Sequence, residues 1–124
     1  LDKEIVLTID VQEFEFNADA EYLRQAISNI VRNALDACEV SATVQLRGYK
    51  KGDAAIIVVQ DTGSGIAQNQ ISRVFDLYYT TKDMGTGVGL ALTHKIIADH
   101  HGTIEVTSEI GEGSTFQIEL PVKQ

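Results

Sequence analysis

Four separated groups of polar residues and glycines could do chemistry in this chain. They are, in order, Asn29 to Ala37, Asp61 to Ile66, Phe75 to Lys82 and Gly85 to Leu90. Side-chain amides and carboxylates can hold a metal ion or a nucleobase, while glycine turns and cations suit phosphates. In this order, the four motifs predict a site for a magnesium-bound nucleotide, although each motif alone is a weak signal.

The first motif places two side-chain amides on one face of a predicted helix. Asn29 and Asn33 are four residues apart, and Asp36 lies close to the same stripe. The carbonyl oxygen of an amide is a suitable hard ligand for Mg²⁺. From spacing alone, both amides could equally well be exposed or cap neighbouring backbone.

The second motif begins with a carboxylate at the end of a very apolar segment. Asp61 could accept a hydrogen bond from the exocyclic amine of adenine, whereas the carbonyl of guanine would be repelled there. Gly63 and Gly65 would let the backbone approach a base closely. Asp-X-Gly is also common in ordinary turns, so this motif gains its meaning from the others.

The glycines Gly85, Gly87 and Gly89 precede a predicted helix, and backbone N–H groups at a helix start favour phosphates. The pattern is neither a P-loop, because the Gly-Lys-Ser/Thr ending is missing, nor a Rossmann turn, because a loop rather than a strand precedes it. Lys82 and Arg73 could reach a polyphosphate, or could be solvated loop charges.

Composition excludes several other functions. The 124 residues are 44% hydrophobic and carry a net charge of −8, which predicts one domain spanning 1–124 and argues against nucleic-acid binding. No apolar run is long enough to cross a bilayer, and one cysteine, Cys38, favours a reducing cytoplasm. The start at Leu1 suggests a fragment of a longer protein, whose membrane anchor could lie outside it.

Hydrophobic periodicity predicts the elements that position these motifs. The predicted strands are Ile5 to Ile9, a hairpin neighbour at Glu13 to Phe16, Ala42 to Tyr49, Ala54 to Gln60, Thr103 to Ser108 and Ser114 to Leu120. The predicted helices are Ala20 to Cys38, capped by Asn17 or Asp19, a short one near Gln68 to Phe75, and Val88 to His101, stopped by Gly102. The histidines His94, His100 and His101 lack metal-ligand company and are expected at the surface or at the helix end.

The order of elements predicts an α+β fold, with a mixed, mostly antiparallel sheet and helices packed on one face. Ala54 to Gln60 is apolar on both faces, so it should be the central strand. The long irregular segment Ser64 to Thr86 is expected to be functional or mobile.

With these motifs in hand, the chain resembles the catalytic and ATP-binding domain of bacterial sensor histidine kinases, in the superfamily of gyrase B, Hsp90 and MutL. The four motifs are similar to the N, G1, F and G2 boxes, and Gly113-Ser-Thr-Phe116 is similar to the closing strand. The resemblance implies a two-layer α/β sandwich of the Bergerat type, with a mobile lid at about 64–86.

The resemblance also implies residue roles. Asn33 would be the Mg²⁺ ligand, and Asn29, Lys82 and Arg73 would act near the phosphates of ATP. Asp61 would bind the adenine amine and Thr115 would lie near the base. The nucleotide-contacting backbone would come from Gly63, Gly65, Gly85, Gly87, Gly89 and Leu90.

Asn29 separates two functions within that superfamily. The ATPase relatives carry a glutamate there as general base, and an amide cannot serve in that way. The resemblance therefore favours a protein-histidine kinase domain, which donates the γ-phosphoryl group of ATP to a histidine on a separate helical dimerisation domain, with a response regulator downstream. A self-contained ATPase and a non-catalytic nucleotide-binding module remain the alternatives.

Three departures from the family pattern accompany this resemblance. Asp36 and Ala37 stand where many histidine kinases have Lys and Tyr, and Leu77 replaces the proline of the F box. No His-Glu/Asp phospho-acceptor motif is present, so the domain that carries it should precede Leu1.

Overall fold

The computed structural model describes residues 4–12, 18–38, 41–76 and 89–122. Within them the strands are β1 (Glu4–Val11), β2 (Ser41–Lys51), β3 (Ala54–Asp61), β4 (Thr103–Glu109) and β5 (Gly113–Pro121). The helices are α1 (Ala20–Ala37), α2 (Gln68–Ile71) and α3 (Gly89–Asp99). No helix of the described part is long and apolar enough to cross a membrane.

The five strands form one sheet in the order β1-β2-β3-β5-β4. β1 pairs with β2 in parallel, and the other three pairings are antiparallel. The predicted mixed, mostly antiparallel sheet is confirmed, as is the central position of β3. The strand predicted at Glu13 to Phe16 lies outside the described residues.

Both long helices pack on one face of the sheet. Side chains of β3 and β5 alternate, so that every second residue points into a buried core with α1 and α3. The fully buried members of that core with the largest volumes include Ile30 of α1, Ile97 of α3, Val59 of β3 and Phe116 of β5. This arrangement confirms the α+β class with helices on one face.

Hydrogen bonds join the end of α3 to the start of α1. Asp19 caps α1, because its Oδ1 accepts the backbone N–H of Tyr22 at 3.2 Å. The backbone N–H of Asp19 in turn donates to Nε2 of His100 at 3.0 Å, while Nδ1 of His100 lies 2.8 Å from the carbonyl of Ile96. A carbonyl only accepts, so Nδ1 carries the proton, and the buried His100 joins the end of α3 to the start of α1.

α3 does not end in the way predicted from the sequence, with Gly102 itself as the local stop signal. The residue in the left-handed conformation is His101, with φ 62°, and the N–H groups of His101 and Gly102 donate to the carbonyls of Ala98 and Ile97. Gly102 is needed for a different reason: a Cβ there would lie 2.5 Å from the carbonyl oxygen of Glu119. The helix stop is therefore a tertiary contact as well as a local signal.

Candidate active site

A row of three buried polar side chains crosses one end of the sheet on the side of the helices. Asp61 ends β3, Ser114 of β5 is its register partner, and Ser108 of β4 is the register partner of Ser114. All three are buried, with exposed fractions of 3%, 4% and 8%. Polar groups at this depth need hydrogen-bond partners, so their contacts show what the row can still bind.

The Asp61 carboxylate is only half satisfied. Oδ1 accepts the backbone N–H groups of Gly63 at 2.8 Å and Ser114 at 3.3 Å. Oδ2 is buried and has no hydrogen-bond partner among the described residues. Burial raises the pKa of Asp61, and the two backbone N–H bonds act in the opposite direction. An unpartnered carboxylate oxygen at this depth favours a ligand that brings its own donor.

Close backbone packing explains the glycines beside Asp61. A Cβ on Gly63 would lie 2.5 Å from the carbonyl oxygen of Ala37, at the end of α1. A Cβ on Gly65, whose φ is 78°, would meet the carbonyl oxygen of Glu109 at the end of β4. Neither position has room for a side chain, so the loop lies pressed between α1 and the β4–β5 hairpin.

The loop after Asp61 also joins the first and second motifs. The N–H of Ser64 donates to the carbonyl of Ala37 at 3.0 Å, and the N–H of Gly111 donates to the carbonyl of Ser64 at 2.9 Å. The C-terminal end of α1, the helix that carries the asparagines, is therefore held against the loop that follows the buried carboxylate.

Helix α1, which carries the two asparagines, is also hydrogen-bonded to the fourth motif. Nδ2 of Asn29 donates to the carbonyl of Gly89, the first residue of α3, at 3.3 Å. The hydroxyl of Thr93 donates to the same carbonyl at 2.9 Å. Asn29 and Asn33 are both half-buried on α1. Both amides are thus partly accessible to solvent.

The described part of the predicted lid is anchored. The backbone N–H of Ile66 donates to Oγ of Ser108, and Phe75 packs edge-on against Phe116, with ring centroids 6.1 Å apart. Arg73 follows α2 on an exposed turn, and its Nε lies 3.8 Å from a carboxylate oxygen of Asp76. Lys82, Gly85 and Gly87 lie outside the described residues, so their roles stay predictions.

Two further predicted site residues are placed differently from each other. Leu90 is half-buried and packs against the hydrophobic core. Thr115 alternates with the buried Ser114 and Phe116, and pairs with Gln60 and Thr107 on the opposite face of the sheet. The geometry therefore brings Ser114, rather than Thr115, to the side of Asp61.

Three residues were missed in the sequence: Ser108, Ser114 and Thr93. Strand alternation contained the signal for Ser114, because it shares the parity of the apolar residues Phe116, Ile118 and Leu120. Thr93 stands three residues before Ile96, on the apolar face of α3. Ser108 likewise shares the parity of Ile104 and Val106, but its position beside Ser114 depends on the pairing of β4 with β5.

The family of the chain follows from its sequence as well as from this geometry. Residues 18–124 match the family described as histidine kinase-, DNA gyrase B- and HSP90-like ATPase. The chain belongs to this family.

Particular relatives are sensor histidine kinases. Sensor histidine kinase ZraS of Escherichia coli strain K12 is 42% identical over 108 residues, which cover 87% of this chain and 23% of that protein. Sporulation kinase C of Bacillus subtilis strain 168 is 36% identical over 107 residues, covering 86% of this chain and 25% of that protein. The chain thus spans about a quarter of the length of these relatives.

Solved structures show the same fold. The nucleotide-free catalytic domain of histidine kinase ThkA superimposes with a TM-score of 0.85 at 26% identity, covering 96% of this chain and 80% of that one. Full-length ShkA in complex with AMPPNP superimposes with a TM-score of 0.85 at 29% identity, covering 94% of this chain and 25% of that one. The five-stranded sheet with its helical layer is therefore the fold of histidine kinase catalytic domains.

Proposed function

We propose that this chain binds Mg-ATP and donates the γ-phosphoryl group to a histidine on a separate helical dimerisation domain, within two-component signal transduction. The observation that carries the proposal is the buried Oδ2 of Asp61, which has no hydrogen-bond partner among the described residues. A buried carboxylate left in this state costs stability unless a ligand satisfies it.

The exocyclic amine of adenine supplies the hydrogen-bond donor that Oδ2 lacks. An N–H donor approaching Oδ2 would form a charge-assisted hydrogen bond in a site shielded from water. A base with a carbonyl in the same position would place two acceptors against each other. Gly63 and Gly65 let the loop after Asp61 pack tightly against α1 and the β4–β5 hairpin, and the N–H of Gly63 donates to Oδ1, so that Oδ2 is left for the base.

The phosphate end of the nucleotide would lie toward the asparagines. Among the described residues there is no cluster of three or more His, Cys, Asp or Glu side chains for a metal ion. On the family resemblance, Asn33 would supply the protein oxygen, which fits Mg²⁺, since that ion keeps waters and phosphate oxygens as its other ligands. Magnesium, when bound there, neutralises charge on the phosphates.

The chain's own contribution to phosphoryl transfer is positioning. The amide of Asn29 cannot remove a proton from water, and its Nδ2 is bonded to the carbonyl of Gly89. A histidine acceptor needs no such base, because its imidazole is already a nucleophile. Lys82, Arg73 and the backbone of Gly85, Gly87 and Gly89 are proposed to hold the polyphosphate in line.

The comparisons support this proposal in their own terms. The matching segment is a small part of sensor histidine kinases, and ShkA was solved with an ATP analogue. We infer that the present chain, spanning 1–124, is the catalytic domain of such a kinase. Its partners would be its own phospho-acceptor domain and a response regulator, in the cytoplasm, and any inner-membrane anchor of the parent protein would lie outside this domain. No nucleic acid or membrane contact is proposed for this domain.

Three measurements test the proposal. Calorimetry of this chain with ATP and Mg²⁺ should show one site, and mixing it with a helical phospho-acceptor domain of a histidine kinase should give acid-labile phosphohistidine. The chain alone should hydrolyse ATP negligibly, because Asn29 cannot act as a general base on water. Steady hydrolysis by the isolated chain would support the self-contained ATPase instead, and undetectable ATP binding would support a decayed binding module.

A further inference from the structure

Ser108 has contacts that fix the direction of every hydrogen bond it makes. Its Oγ accepts the backbone N–H of Ile66 at 2.7 Å and lies 2.9 Å from the carbonyl oxygen of Gly113. A carbonyl has no hydrogen to give, so the single hydroxyl hydrogen of Ser108 is spent on Gly113. The hydroxyl of Ser108 then has one lone pair left.

That remaining lone pair determines the direction of the hydrogen bond between Ser108 and the neighbouring hydroxyl of Ser114. Oγ of Ser114 lies 2.8 Å from Oγ of Ser108, and both atoms are buried. Because Ser108 has no second hydrogen, Ser114 must be the donor in this contact. Ser114 therefore has only lone pairs left for any other neighbour.

Strand register places Ser114 beside Asp61, the residue proposed to bind the base. Ser114 is the register partner of Asp61, and its backbone N–H already donates to Oδ1 of that carboxylate. When Asp61 is ionised, Oδ2 is also an acceptor without a partner among the described residues. The free positions of the buried row are thus acceptors only, which suits an amine and repels a carbonyl.

We propose that Ser108 is a positioning residue for base selection: it forces the Ser114 hydroxyl to turn its lone pairs toward the base beside Asp61. This inference rests on the proposed function, because it assumes that the base lies at Asp61. It assigns to Ser108, which does not itself touch the nucleotide, part of the discrimination against purines that carry a carbonyl at position 6.

The test compares ATP with inosine triphosphate, which differ at position 6 and in the hydrogen on the adjacent ring nitrogen. Calorimetry measures the dissociation constants of both nucleotides, with Mg²⁺, for the wild-type chain, Ser108→Ala, Ser108→Thr and Thr107→Ala. Ser108→Ala releases the Ser114 hydrogen, which can then donate to the carbonyl, so the preference for ATP should fall about tenfold. Ser108→Thr keeps the hydroxyl and should keep the preference.

Two comparisons separate this role from a merely structural one. Thr107 is exposed on the opposite face of the same strand, so Thr107→Ala is the matched control and should leave the preference unchanged. If Ser108→Ala weakens both nucleotides by the same factor, or neither, the proposal is wrong. Thermal melting of each variant shows whether it is folded.

Ser114→Ala gives an independent test should Ser108→Ala fail to fold. This change leaves the bonds of Ser108 to Ile66 and Gly113 in place but removes the lone pairs that face the base, so the preference for ATP should also fall. An unchanged preference in Ser114→Ala would overturn the proposal. Failure of the wild-type chain to bind ATP at all would instead contradict the proposed function.

Discussion

The side chain of Asn29 and the backbone of Gly89 are joined across 60 residues of sequence: Nδ2 of the amide donates to the carbonyl oxygen at 3.3 Å. The hydroxyl of Thr93 donates to the same oxygen. This shared acceptor fixes the first turn of α3 against the middle of α1. It also orients the Asn29 amide, because Nδ2 is hydrogen-bonded to the first residue of α3.

The first prediction concerns that amide. Asn29→Asp removes the donor and turns a carboxylate oxygen toward the carbonyl of Gly89, so it should lower the free energy of unfolding by about 1–2 kcal/mol. Urea denaturation of the isolated chain measures this change. The control is Ser28→Asp, which adds the same charge at the exposed neighbouring position and should stay within about 0.5 kcal/mol of wild type. Equal effects of the two changes would contradict the bond to Gly89.

The second prediction separates the two roles of Asp61. Asp61→Asn removes a buried negative charge, so the unliganded chain should lose no stability at neutral pH. The same change should weaken ATP binding by about 1–3 kcal/mol, because a charge-assisted hydrogen bond is lost. Denaturation and calorimetry give the two numbers on the same protein.

Asp53→Asn is the matched control for that experiment. Asp53 is exposed in the turn between β2 and β3, at the end of β3 opposite Asp61. Asp53→Asn should change neither the free energy of unfolding nor the affinity for ATP. ATP affinity that stays at the wild-type value in Asp61→Asn would remove Asp61 from the binding site.

The third prediction is a pH dependence of opposite sign for folding and for binding. Because burial raises the pKa of Asp61 in the folded chain, its contribution to stability is present below the ordinary carboxylate pKa and is lost as pH rises through the raised value. ATP needs the ionised carboxylate, so its affinity should increase with pH over the same window.

The proton balance of binding checks this sign. Within that window, ATP binding should release protons, which calorimetry detects by repeating the titration in buffers of different ionisation enthalpy. Asp61→Asn should abolish this part of the release and flatten the corresponding part of the stability curve. Proton uptake by the wild-type chain that disappears in Asp61→Asn would contradict the assignment.

The fourth prediction tests the close contact at Gly63. A Cβ there would lie 2.5 Å from the carbonyl oxygen of Ala37 and 2.9 Å from Oδ1 of Asp61. Gly63→Ala should therefore cost about 1–3 kcal/mol in unfolding free energy and weaken ATP binding, since the loop must move away from α1. Gly52→Ala is the comparison, because that glycine has a φ of 60° but open space around it.

Gly52→Ala should lower stability by about 1 kcal/mol through backbone strain alone. It should leave ATP affinity unchanged, because Gly52 lies in the turn before β3 and Asp61 ends that strand. Calorimetry on both variants distinguishes a local strain from a displaced site. Equal ATP affinity of the two variants would show that the loop tolerates movement.

The amino-acid sequence by itself determined the central strand, the helix that carries the asparagines and the turn that follows Asp61. These features depend on residues close together in the chain, since alternation, helical spacing and glycine turns are local patterns. The α+β class followed from their order. The family resemblance likewise rested on short motifs that are contiguous in sequence.

Only the tertiary structure decided which polar atoms are satisfied. The free Oδ2 of Asp61, the choice of Ser114 over Thr115 and the bond from Asn29 to Gly89 all depend on the register of distant strands or the contact of two helices. The same holds for α3, where packing against β5 requires glycine at position 102 and leaves His101 in the left-handed conformation. Local propensity cannot specify such contacts, because both partners must first be brought together by folding of the whole domain.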